Sequence, residues 1–81
     1  MSDARKRFRE EIIRLGGMAV GGDYVLSPLR EESRDILTLD GQLVASVMCR
    51  TDLYALADIC RAAIASWKKR QRVDAERELV G

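Results

Sequence analysis

Apolar positions along the chain fall into two helical stripes that enclose a stretch of short apolar runs. Between residues 3 and 15, Ala4, Phe8, Ile12 and Leu15 recur at intervals of four and three, which is one face of an α-helix, and Ile13 widens it. Ser2 suits the cap position, Asp3 suits the positive end of the helix dipole, and Gly16-Gly17 supplies the stop. The spacing predicts a helix over about 3–15. The second stripe is longer. Leu53, Leu56, Ala57, Cys60, Ile64 and Trp67 step by threes and fours, with Ile59 and Ala63 beside them and Thr51 or Asp52 as the cap. It predicts a helix over about 52–72. In residues 73–81 only Val73, Leu79 and Val80 could pack, so this tail either continues the helix beyond the core or frays.

The middle of the chain reads as sheet. Residues 16–23, GGMAVGGD, hold four of the six glycines and read as a glycine-rich turn, within which Met18-Val20 is long enough for a short strand. Anion binding is a weak alternative here, because phosphate-cradling glycine loops lead from a strand into a helix and this one leads from a helix toward a strand. Tyr24-Val25-Leu26 reads as a strand that ends before Pro28. Residues 27–33 read either as the polar connection of a hairpin, at Arg30-Glu31-Glu32-Ser33, or as one helical turn with Ser27 as its cap and Pro28 at its first position, and the hairpin is the favoured reading. The clearest local signal is Asp40-Gly41 between Ile36-Leu37-Thr38-Leu39 and Leu43-Val44-Ala45-Ser46-Val47-Met48, a hairpin signature. A two-residue turn there would pair Leu37 with Val44 and Ile36 with Ala45. Ile36, Leu43, Ala45 and Val47 would then share one face, and Leu37, Leu39, Val44 and Met48 the other. The sheet spans about 24–48. The expected fold is α+β, a small single domain of order α-β-β-β-α, with two helices packed on one face of a three-stranded antiparallel meander.

Composition narrows the functional classes. With 81 residues, 47% hydrophobic and 33% charged, the chain is a single globular domain rather than a disordered one. It has no histidine, so the commonest general base near neutral pH is missing. Cys49 and Cys60 are too few for a disulfide framework and, without histidine, too few for a closed zinc site. The carboxylate pairs Glu10-Glu11 and Glu31-Glu32 are neighbours in sequence, which points their side chains apart. No catalytic residue, cofactor or metal is expected. No apolar run approaches the ~20 residues of a membrane span, and no continuous apolar segment follows the basic amino terminus. A cytoplasmic protein without a membrane partner is the expectation.

Two binding classes remain. A single layer of helices leaves one sheet face open, so Leu37, Leu39, Val44 and Met48, with Tyr54 and Trp67 on the second helix, are the candidate protein-binding residues. They suit a homodimeric interaction module that binds a larger protein or nucleoprotein complex and modulates or inhibits it, in the style of small proteins encoded by phages and mobile elements. The alternative is a nucleic-acid-binding regulator using two basic clusters, Arg5, Lys6, Arg7 and Arg9, and Lys68, Lys69, Arg70 and Arg72. Against it, 14 Lys and Arg meet 13 Asp and Glu, a net charge of +1 where dedicated binders are strongly basic.

Overall fold

A computed structural model describes residues 3–49 and 53–80, with the side chains of 53–54 and 76–80 outside the described set. The order is α1 (Asp3–Arg14), β1 (Met18–Val20), β2 (Tyr24–Leu26), β3 (Ser33–Thr38), β4 (Leu43–Met48) and α2 (Leu53–Val80). The strands form one antiparallel meander, β1-β2-β3-β4. The fold is therefore α+β, with four strands where the sequence predicts three. The additional strand lies inside the glycine-rich segment, Met18 pairing with Leu26 and Val20 with Tyr24. Three residues between glycines are too short to show a period of two, so the segment reads as a turn.

Gly17 lets α1 meet the sheet. Its N–H donates to Ile12 O at 2.8 Å, and a Cβ there would lie 2.3 Å from Leu26 O and 2.5 Å from Ile12 Cγ2. Residues 30–33 close the hairpin between β2 and β3, as the favoured reading expects, and form no helical turn. Arg30 and Ser33 exchange backbone hydrogen bonds of 2.8 and 2.9 Å, and both residues between them have positive φ, Glu31 at 47° and Glu32 at 70°. That is the geometry of a primed hairpin turn, normally filled by Asn and Gly.

The register Leu26↔Ile36↔Ala45 sets one face of the sheet. On that face Leu26, Ile36, Val44 and Val47 bury against Leu56 and Cys60 of α2, with Trp67 and Ile64 packed at the border. α1 contributes nothing to this cluster. It packs against β1 and β2 instead, where the alternation of the strand turns fully buried Val25 away from Leu26. The two helices thus lie on opposite faces, not on one. α2 rests chiefly on β4 and reaches Leu26 and Ile36, while α1 rests on β1 and β2, so each leaves part of its face open. The expected helix of 52–72 extends further, α2 running to Val80. Residues 68–75 of α2 are all exposed, and of these Lys68 still meets the sheet at Tyr24.

Two outcomes follow for urea unfolding. Gly17→Ala lowers stability by about 1–3 kcal/mol, since backbone rather than a movable side chain blocks the new methyl. Glu31→Asn with Glu32→Gly raises it by about 1–3 kcal/mol, by relieving two left-handed residues.

Candidate interaction site

The β3–β4 hairpin departs from the expected register by one residue. Gly41 N donates to Thr38 O and Thr38 N to Gln42 O, both at 3.0 Å, and Gly41 has φ 86°. The loop is thus Leu39-Asp40-Gly41, three residues with a left-handed glycine at the end, rather than two. Thr38 Oγ1 accepts from Gln42 N at 3.1 Å and holds it. The register then shifts between Ile36 and Leu37. Ile36 pairs with Ala45 as expected, but Leu37 pairs with Leu43, and Val44 is the extra, bulged residue.

One residue of slip exchanges faces. Val44, expected on the open face, is 5% exposed in the core, while Leu43, expected in the core, is 59% exposed. Leu39 is also buried, at 5%. Arg5 of α1 holds Asp40 in the same loop at 2.8 Å, so the helix closes over this end of the sheet. Leu37 is half-buried and Met48 is exposed. Trp67 is half-buried and meets Tyr24 edge to face at 6.3 Å between centroids, which makes it part of the packing under α2. The side chain of Tyr54 lies outside the described residues. The free β3–β4 surface is thus carried by Leu43 and Met48 rather than by Leu39 and Val44.

A second apolar surface lies diagonally opposite. Because α2 sits toward β4, a groove of about 550 Å³ opens between it and the β1–β2 hairpin. Met18, Val20, Leu26, Ala57 and Ile64 line it, and Arg61, paired with Asp58, stands at its rim. β1 is the edge strand beside it. Periodicity marks Ala57 and Ile64 as helix face, but the groove itself follows from where α2 lands, which no local pattern reports.

The basic residues are partly engaged. Arg5 is bound to Asp40, and Arg9 is half-buried. Lys68 Nζ lies 5.8 Å from the Tyr24 ring centroid, a cation–π contact. Lys6, Arg7, Lys69, Arg70 and Arg72 are exposed. Arg5 and Lys68 line one shallow cleft of about 220 Å³, together with Asp23 and Asp40. One residue of each cluster thus reaches this cleft, which also holds two carboxylates.

Among the described residues no group of His, Cys, Asp and Glu is arranged to hold a metal ion, and no helix is long and apolar enough to cross a membrane. Comparison with protein-family models, with curated proteins and with solved structures gave no match. Cys60 is buried and Cys49 half-buried, both as free thiols. Burial, and then the nearby Cys49, push the Cys60 thiol up. Its anion forms more readily in the unfolded chain. Cys60 therefore supports the fold fully below the unfolded thiol value of about 8.5, and this support is lost as pH rises above it. At pH 8 a thiol reagent should modify one cysteine quickly and one slowly, and Cys49→Ser should remove the fast phase.

Proposed function

We propose that this chain is a non-catalytic interaction module that binds a larger protein or complex and modulates it by occlusion. The observation that carries this reading is the apolar groove between the β1–β2 hairpin and α2, left open beside a free strand edge. An extended apolar segment of a larger protein fits both features. Its backbone adds to β1 and its alternate side chains enter the groove beside Met18, Leu26 and Ile64. Arg61 and Asp58 at the rim give the site a polar border. A cytoplasmic setting, and a role like that of the small inhibitors and accessory proteins of phages and mobile elements, belong to the same reading.

A second reading has its own support. The convergence of Arg5 and Lys68 in one cleft, with Lys6, Arg7, Lys69, Arg70 and Arg72 nearby in sequence, favours contact with a phosphate backbone. The aspartates Asp23 and Asp40 in that cleft weigh against it.

Two substitutions separate the readings. Ala57→Arg fills the groove from an exposed helical position. In affinity capture from the producing cells it loses a protein retained by the wild type, while Lys68, Lys69, Arg70 and Arg72 changed together to Glu keep it. Capture that is indifferent to Ala57→Arg refutes the groove as the binding site. For the second reading the probe is a labelled duplex of about 20 base pairs, followed by fluorescence anisotropy at about 50 and about 200 mM salt. Phosphate contact predicts binding that weakens with a slope of roughly 0.9 per contact in log–log form and vanishes in the fourfold Glu variant. The absence of binding at low salt removes that reading.

A further inference from the structure

The exposed apolar side chains of the β4 side converge on one edge of the molecule. β4 is the last strand of the sheet, and among the described residues nothing pairs with its outer side. Leu43 and Met48, 59% and 52% exposed, stand on the same face of it, because their register partners Leu37 and Ser33 are alternate residues of β3. Ser46, opposite Asp35, is the face residue between them, and its hydroxyl donates to the Asp35 carboxylate at 2.6 Å. Val44 is the bulged residue, so Leu43, Ser46 and Met48 become consecutive positions on that face. The patch is therefore symmetric about Ser46, with one large apolar side chain on either side.

On the other face α2 lies over β4. Leu56 and Cys60 point into the core, and Ala57, Arg61 and Ile64 line the groove on the β1 side. At 100° per residue, Ala55, Ile59, Ala63 and Ser66 then fall on the opposite flank, above the free β4 edge. Ile59 is 39% exposed there, among residues small enough to let a second helix approach closely.

We propose that β4 is a homodimer interface, in which two copies pair their β4 strands antiparallel about a two-fold axis through Ser46, normal to the sheet. The two-fold sets Leu43 of each copy against Met48 of the other, and brings the two α2 helices together antiparallel through Ile59, Ala63 and Ser66. The occupant is a second copy because the patch is complementary to itself, which is what an isologous contact requires. Its extent also fits. Six residues at ~3.4 Å make a contact about 20 Å long, and sheet plus helix make it about 20 Å tall. Such a footprint is roughly 400 Å² per copy, about 800 Å² in total, and interdigitated side chains raise the area buried toward the low end of stable interfaces, about 1,200 Å². Pairing would also remove the free six-residue edge, a hazard for a soluble sheet. This inference rests on reading the chain as an interaction module, and it names one partner of that module on a surface separate from the groove.

Light scattering after size-exclusion chromatography should give twice the 9.1 kDa chain mass at about 10 μM. Leu43→Lys with Met48→Lys should weaken the dimer by roughly 100-fold or more and give the single-chain mass, with an unchanged circular dichroism spectrum. In a Cys49→Ser background, Ser46→Cys should form a linked dimer under mild oxidation, since opposed residues of an antiparallel pair sit about 4.5–5.5 Å apart at Cβ. Gly22→Cys in the same background, at the far hairpin, should not link. A single-chain mass for the wild type even at about 100 μM overturns the proposal. So does a dimer that survives the double lysine change and leaves Ser46→Cys unlinked. Ala57→Arg should leave the mass unchanged, so failure of the groove reading and failure of the dimer are told apart.

Discussion

The pairing of β3 with β4 governs what the rest of the molecule can present. A three-residue loop closed by Gly41 and one extra residue at Val44 decide which side of the sheet each apolar side chain of the hairpin reaches. Val44 enters the core beneath α2, and Leu43 turns outward. Had the loop been one residue shorter, the same composition would have buried Leu43 and presented Val44. The difference is energetic as well as geometric. Exposing one aliphatic side chain in place of another leaves the hydrophobic sum nearly unchanged, so local turn chemistry is free to choose between them.

The second constraint is how little helix there is to cover a four-stranded sheet. With α1 on β1 and β2 and α2 centred on β4 of the other face, each helix leaves part of its face open. The open parts are diagonal to each other and differ in character. One is a groove walled by α2 and the β1–β2 hairpin, and the other is a flat strip along an unpaired strand. Among the described residues no further element closes them, and surfaces that stay apolar in so small a fold are where contact with other molecules is expected.

Much of this was legible in the sequence, for identifiable reasons. The helices announced themselves because Phe8 and Ile12, and Leu56, Cys60 and Trp67, keep helical spacing over several turns. Asp40-Gly41 marked the hairpin correctly. The failures have two causes, dependence on partners distant in the chain and turn geometry that the turn residues alone do not fix. Met18-Ala19-Val20 is a strand because β2 lies beside it, and its own three residues carry no period. Leu39 looked available because the layer count placed both helices on one face, and Val44 because Asp40-Gly41 read as a two-residue turn. Nothing local says that α1 crosses to the other side, and its anchor to the hairpin, Arg5 with Asp40, spans 35 positions. Glu31 and Glu32 read as a hairpin connection but gave no sign of a primed turn, since the left-handed geometry they adopt is one that glutamate disfavours. The groove is a gap between elements, and the sequence describes elements.

The meander has a consequence for how the chain reaches this fold. Nearly every packed pair of elements is adjacent in sequence: α1 with β1 and β2, each strand with the next, and β4 with α2. No parallel crossover has to form and no long loop has to close before contacts accumulate. Low contact order of this kind places small domains toward the fast end of folding rates, despite the sheet. Each hairpin can also form as it leaves the ribosome, before α2 has been synthesised. α2 emerges after the four strands and is the element that seals the core, so the nascent sheet stays uncapped on that face until Leu56 and Cys60 arrive.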